Sequence, residues 1–447
     1  MLKQKPFHYI LLVLPLLLYL LLGYETERHQ TLPLFAGYFT LFIMYVVAIA
    51  NHQTLQEREF KFWIGASLLY RTALLFSVPA LSDDFYRFVW DGRLLAAGHH
   101  PFAEVPSFYM SHPVAIPGIN EELFDQLNAK DTFTSYPPFS QFIFWLSVKL
   151  SNGSLYGAVF TMKIIILGFE AATLWIFPRV LRQFQLPETR TLFYALNPLV
   201  ILELTGNLHF EGIMIFFLLC GIILLKRKQY HWSALAYALS ICTKLIPLIL
   251  VPILIRQLGW RKSILFGAMT AAFTFMLSLP LLNAEMVDGL FTSLGYYFQR
   301  FEFNASIYYL IRGVGYAIFG FNIIAYAGPV LAIIAAILIL TISFRNLPLA
   351  ISADADRALF QRILWCLFIY FISVTILHPW YIITLLAISI LTPYRFTLVW
   401  TGAIFLTYAG YTATAFNENL FLVAFEYALV IAYLLYETVW TKRSDHS

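Results

Sequence analysis

PPFSQFIFWLSVKL, residues 137–150, is the stretch on which the fold turns. It is apolar and begins at a double proline, yet it is short of the roughly seventeen to twenty-five residues that a bilayer-spanning helix needs. If it crossed, Arg179, Arg182 and Arg190 would all land on the side opposite Lys3 and Lys5. That arrangement opposes the preference of short-loop cations for the inner side. Read as an interfacial helix lying on the outer face, it removes the conflict, and Tyr156 to Phe177 becomes the next crossing.

Outward from that stretch the same grammar repeats. Apolar spans at 8–23, 32–50 and 61–80 precede it, each long enough to cross. Lys3 and Lys5 before the first run outline a signal peptide, but Gly23-Tyr24-Glu25 offers no small-x-small cleavage pattern, so the run reads as a retained first helix. Downstream, Thr191–Leu204 rises and Gly212–Leu225 returns. The stretch 233–255 is interrupted by Lys244, Pro247 and Pro252, and reads as two short helices, 231–243 and 246–256, meeting near Lys244. Further spans follow at 263–282, 324–344, 359–377, 380–392, 396–415 and 420–440, with an outer segment 283–322 holding a second interfacial helix near Ile307–Phe319.

The 447 residues are 60% hydrophobic and 12% charged, about half the charged fraction of a soluble domain. Long apolar blocks of this kind exclude a β-barrel, which shows short alternating strands. The reading is an all-α polytopic membrane protein of about 12–14 transmembrane helices, one integral domain over 1–447 with an outer loop at 82–136. A net charge of +4 follows the topology and carries no nucleic-acid signature. Cys220, Cys242 and Cys366 lie far apart inside apolar segments, which excludes a disulfide framework or a metal knuckle.

The polar residues gather where those helices reach the outer side. Ser82 to Phe102, SDDFYRFVWDGRLLAAGHHPF, carries Asp83, Asp84, Arg87, Asp91 and Arg93 directly after an apolar span. One reading makes Ser82 a helix cap with two acids complementing the dipole. The other makes a carboxylate among cations in a partly dry cleft a base with a shifted pKa. Glu203, Asn207, His209 and Glu211 form a second polar group, which a soluble protein would explain as a turn. Lys244, just before Pro247 and Pro252 at the apex of a broken helix pair, suits an anionic phosphate. His378-Pro379-Trp380-Tyr381 marks another outer turn, and Arg300 and Glu302 add a cation and an acid. Glu170 and Glu426, inside apolar spans, read as paired structural groups. Acids, cations and aromatics from five segments on one face fit an enzyme acting on a lipid-phosphate substrate, where a base serves the acceptor and cations the departing phosphate.

Six stretches carry a family likeness: SDDFYRFVWDGRLLAAGHHPF (82–102), TSYPPFSQFIFW (134–145), NPLVILELTGNLHFEG (197–212), TKLIPLILVP (243–252), FEFNASIYYLIR (301–312) and HPWY (378–381). In these the chain resembles the GT-C superfamily of integral-membrane glycosyltransferases, and within it the bacterial polyprenyl-phosphate-mannose-dependent mannosyltransferase-like proteins. The resemblance implies a GT-C-like fold with a large first outer loop, and inverting transfer of a hexose, mannose first, from a polyprenyl-phosphate donor to a lipid- or glycan-linked acceptor. It implies Asp83 or Asp84 as general base, and Lys244, His209 and His378 around the donor phosphate; Arg87, Arg93, Glu211 and Tyr381, on the same outer face, are the further candidates for holding the donor phosphate and sugar. It also implies a bacterial inner (plasma) membrane with the site on the periplasmic side. Some members use a divalent metal and others none, so the metal stays open. The chain departs from a frequent Gly-His-x-Asp pattern, reading Leu208-His209-Phe210-Glu211. Two other classes stay in view, a transporter or flippase of lipid-linked saccharide and an acyl- or phosphoethanolamine-type transferase. The first would show broken or charged helices in two corresponding halves of the chain. Radiolabel tests the second, by moving from a lipid-phosphate sugar or from another donor.

Overall fold

The computed structural model describes residues 5–112, 115–344 and 355–444; Lys3 lies outside them. Three helices open the chain, α1 (Lys5–Leu20), α2 (Thr31–Ile49) and α3 (Glu57–Ala73), the first ending in a π-helical turn at Leu21–Glu25. The outer loop of the sequence reading folds into three short helices, α4 (Asp84–Ala96), α5 (Pro106–Ser111) and α6 (Glu121–Asp125). They enclose a small core of their own around Trp90, Leu94, Tyr109, Ile116, Leu123 and Leu127.

The decisive stretch is α7 (Pro138–Leu150), started by a proline whose missing N–H costs nothing in the first turn. Thirteen residues long, it buries Ser140, Gln141, Phe144 and Ser147, while Phe142 and Leu150 stay exposed. Gln141 reaches back to Asp91 of α4, 2.8 Å from Oδ2. The helices touch closely because residue 92 is glycine: a Cβ there would stand 2.6 Å from the Phe144 carbonyl oxygen. Phe88 and Phe144 stack across this contact at 4.7 Å, and Phe210 meets both edge-on.

The long α8 (Leu155–Gln183), capped by Ser154, leads through α9 (Leu192–Ala195) to α10 (Pro198–Val200), which continues as a π-helical turn to Gly206. After a break the chain resumes as α11 (Glu211–Lys226), bent by 111° from Pro198–Gly206. The break holds Leu208 at φ +63°, a left-handed conformation that an L-residue adopts only when its surroundings force it. Next, α12 (Tyr230–Thr243) stops at Lys244, which is extended at φ −150°, ψ 145°. A 3₁₀ turn (Ile246–Leu250) and α13 (Val251–Leu258) follow. Pro247 and Pro252 each sit in the first turn of the piece they begin, so the prolines place the break at the lysine.

Beyond this come α14 (Trp260–Ser278), α15 (Ala284–Gln299), α16 (Ile307–Phe319), α17 (Ile324–Phe344), α18 (Ala355–Ser373), α19 (Ile382–Ser389), α20 (Phe396–Ala403) and α21 (Leu420–Ser444). No strand occurs among the described residues; two isolated bridges join Phe303 to Ile376 and Tyr411 to Phe416. On α16, Leu310, Val314 and Ile318 expose one apolar stripe, as an interfacial helix would. The expected segment 283–322 holds one helix more than its reading, α15, which Asn283 caps by accepting from the Met286 N–H.

Among the described residues four helices are long and apolar enough to cross a membrane, or five if the bent pair counts as one span. Other apolar blocks fold as shorter helices, including Ile246–Leu258, Pro379–Ser389 and Phe396–Gly410. The molecule is an all-α polytopic membrane protein, and the buried ionisable groups it carries are paired. Arg71 Nε lies 3.0 Å from Glu170 Oε2 with both side chains fully buried, and Tyr194 donates to the other oxygen at 2.7 Å. Glu426 accepts from Trp400 at 2.8 Å and from Asn304 at 3.2 Å. Both glutamates are therefore structural groups, as the sequence reading has them.

Candidate active site

The aspartate pair is placed by the break between α10 and α11. Asn207 Oδ1 accepts the N–H groups of Ala80 and Leu81 at 3.2 and 3.0 Å, while its amide donates to the Leu202 carbonyl at 2.9 Å. This tether orients the segment that becomes α4. Ser82 Oγ accepts the Asp84 N–H at 3.3 Å, so a serine does support this helix start, and a helix N-terminus also favours nearby acids. The N-cap itself is Asp83, without a side-chain cap, so Ser82 supports the turn from one residue earlier than the capping reading places it.

The two carboxylates then diverge. Asp83 Oδ2 meets Arg28 Nη2 at 2.5 Å. Asp84 accepts from Asn128 Nδ2 at 2.9 Å through Oδ1 and from the Tyr136 hydroxyl at 3.3 Å through Oδ2. Asp84 is half-buried because one side opens onto a cavity. Burial raises its carboxyl above the usual range, partly offset by the Asn128 hydrogen bond, the Lys244 charge and the Tyr136 hydrogen bond.

That cavity measures about 860 Å³. Asp83, Asp84, Arg87, Lys244, His378 and Tyr381 of the sequence-derived set all line it. Lys244 enters at the extended break after α12, its Nζ 2.9 Å from Glu211 Oε1 and above the rings of Tyr136 and Tyr381 at 5.6 and 5.7 Å. A wall of rings runs from Tyr411 through Phe416 and Phe303 to His378, with consecutive centroids 4.7, 5.0 and 4.6 Å apart. His378 stacks on Trp380 at 4.5 Å. Burial, reinforced by the Lys244 charge, pushes the His378 imidazole down to about 3, so at neutral pH it is a hydrogen-bonding group and not a cation.

Other expected residues sit elsewhere. Arg87 reaches the cavity wall, but its Nε is 2.8 Å from Asp91 Oδ1 and its Nη1 donates to the carbonyls of Ala129 and Thr132, so it braces the loop. Arg93 is not among the lining residues and donates to the carbonyls of Gly118 and Gly153 at 2.6 and 2.8 Å. His209 lies one layer behind, stacked on Trp380 at 3.6 Å with Nε2 3.4 Å from Glu203 Oε2. Glu211, longer by one methylene than the aspartate of the frequent pattern, directs its carboxylate to Lys244 from a fully buried position. Glu302 pairs with Arg312 and not with Arg300.

Arg28, Asn128 and Tyr411 are among the lining residues that escaped the sequence reading. Arg28 had a signal, being a cation in a loop that the topology puts on the outer side, where cations are disfavoured. Asn128 and Tyr411 had none. Among the described residues no three His, Cys, Asp or Glu converge as a metal site. The cavity carboxylates Asp83 and Asp84 are engaged by arginine, amide and phenol groups, a donor set that does not fit a metal.

Comparison with known proteins places this geometry. A family model described as Alpha-(1->6)-mannopyranosyltransferase, N-terminal domain, matches residues 14–259. The chain is 26% identical over 195 residues to alpha-(1->6)-mannopyranosyltransferase A of Mycobacterium tuberculosis, covering 43% of this chain and 36% of that protein. It is 24% identical over 183 residues to the protein of the same name from Corynebacterium glutamicum, covering 41% and 36%. The matched stretch thus spans little more than a third of either curated relative. The family model covers more than half of this chain, and the chain belongs to the alpha-(1->6)-mannopyranosyltransferase family.

Proposed function

We propose that this protein transfers mannose from a polyprenyl-phosphate donor to a lipid- or glycan-linked acceptor, with inversion, on the outer side of the membrane, and that Asp84 is the general base. The observation that carries this reading is Asp84 itself: a cavity-facing carboxylate with a raised pKa, held by Asn128 and Tyr136 on the wall it shares with Lys244. A base poised above the ordinary carboxylate range is better matched to removing a hydroxyl proton at neutral pH.

In the proposed step the acceptor hydroxyl gives its proton to Asp84, its oxygen attacks the anomeric carbon, and the bond from that carbon to phosphate oxygen breaks. The phosphate leaves with the electron pair, and the Lys244 ammonium offsets the growing charge. The names of the two relatives, both alpha-(1->6)-mannopyranosyltransferases, support mannose as the sugar. A lipid-linked donor is supported by an apolar groove of about 540 Å³ between α12, α13 and α14, which shares Pro137 and Leu245 with the polar cavity. A headgroup at Lys244 would have its chain beside it.

The test uses membranes containing the full chain, labelled mannose on polyprenyl phosphate, and lipid extract from the same cells as acceptor. Wild type should move label into a new product, and Asp84→Asn, present in equal amount, should be slower by about a hundred- to ten-thousandfold. Transfer by Asp84→Asn at the wild-type rate would sink the assignment.

A further inference from the structure

The contacts lay six side chains out in order. Lys244 stands above Tyr136, whose hydroxyl holds Asp84; Asp83 is next in the chain; Arg28 pairs with Asp83; and Tyr411 lies under Arg28, its ring centroid 4.7 Å from the guanidinium carbon. If the phosphate leaves at Lys244 and the base is Asp84, the end beyond Asp83 is where an acceptor must present its hydroxyl. This step rests on the function proposed above.

The chemistry at that end is unfinished. Arg28 donates to protein through Nη2 alone among the described residues, leaving Nε and Nη1; Asp83 accepts through Oδ2 alone, leaving Oδ1. Both side chains are about one-third exposed, open to whatever enters. A guanidinium has five donors in a planar fork and a carboxylate has several lone-pair sites, so a single shared hydrogen bond leaves most of this pair's capacity unused. Adjacent hydroxyls on a pyranose ring match it: one donates to the carboxylate oxygen while its neighbour accepts from the guanidinium. Tyr411, whose ring Arg28 partly covers, adds apolar ring edge for the sugar's C–H side. Its hairpin is firm, because Thr412 N–H donates to Ala415 O at 2.8 Å and Asn417 N–H to Gly410 O at 2.7 Å.

From this layout we infer that Arg28, Asp83 and Tyr411 form the acceptor subsite, and that it recognises a hexose through two adjacent hydroxyls. The neighbouring aspartates therefore divide the work, Asp84 taking the proton and Asp83 holding the sugar that supplies it.

The experiment varies an alkyl α-mannoside as acceptor probe against saturating labelled donor, in membranes holding the full chain. Arg28→Lys, which keeps the charge and loses the fork, and Asp83→Asn should each raise the acceptor KM about tenfold, leaving donor KM and kcat within about twofold. Tyr411→Ala, which removes the ring, should raise acceptor KM more than Tyr411→Phe, which keeps it. A wild-type arm needs no variant: probes lacking one of two adjacent hydroxyls should lose about the same factor, and Asp83→Asn should discriminate less against the deoxy probe that wild type rejects. A fall in kcat at unchanged acceptor KM, a rise in donor KM, or equal use of all deoxy probes by wild type would overturn the subsite. Failure of the underlying reading looks different, since then wild type transfers no label or Asp84→Asn retains full activity.

Discussion

Two of the arginine–carboxylate pairs among the described residues are built from the same groups and finished differently. Arg71 and Glu170 are fully buried, and Tyr194, the Ser67 carbonyl and the Ala195 carbonyl complete most of their remaining valences. Arg28 and Asp83 share one contact at the edge of a cavity. Inside an apolar bundle a charge persists only when protein surrounds it with partners, so the first pair is architecture. The second keeps hydrogen-bonding capacity that solvent or a substrate must meet. Within one molecule, completeness of pairing separates the charges that hold the fold from those that face chemistry, where mere burial does not.

The largest effect should come from breaking the finished pair. Glu170→Ala leaves Arg71 uncompensated and should cost about 3–5 kcal/mol, read as loss of folded protein in detergent melts. Replacing both, Arg71→Met with Glu170→Leu, should recover most of that loss. The same melts on Arg28→Lys should match wild type, and an equally destabilised Arg28→Lys would erase the distinction. Next in size is Gly92→Val, where branched atoms meet the Phe144 carbonyl; overpacking should cost about 1–3 kcal/mol and loosen α4 against α7. Asn207→Ala should cost about 1–3 kcal/mol by orphaning the Ala80 and Leu81 N–H groups, and should lower kcat more than either KM, because the tether aims the aspartates.

The smallest effect is a displacement of a pH profile. The base role proposed for Asp84 requires the ionised carboxylate, so on that reading activity should fall as pH drops through its raised pKa, on a limb above the ordinary carboxylate range. The Lys244 charge holds that pKa down, so Lys244→Met should move the limb to higher pH, besides weakening donor binding. A limb that stays put would separate the lysine from the base.

Much of this was legible in the chain. The prolines at 247 and 252 announced the break at Lys244, the shortness of residues 137–150 announced α7, and the clustered acids after an apolar span announced the cavity floor. Those signals are local, because proline chemistry and helix length act within a few residues. What stayed hidden depends on contacts across the chain. Asp83 and Asp84 are equivalent by position, and it takes Arg28, fifty-five residues before the first, and Asn128 and Tyr136, forty-four and fifty-two after the second, to tell them apart. His209 looks like a phosphate ligand until Trp380 closes over it. Arg93 looks like its neighbour Arg87, but the loop around Gly118 folds back to take it.

The bent segment between Asn197 and Glu211 also bears on how the protein is made. Asn197 bonds to the Thr401 hydroxyl and Glu203 to that of Tyr408, 204 and 205 residues further along. A ribosome delivers those partners well after the turn they support, so the tether that aims the aspartate pair is assembled early but buttressed late. The helices that carry Thr401 and Tyr408 are thus more than ballast in the lipid, and the candidate site matures only after they have been made.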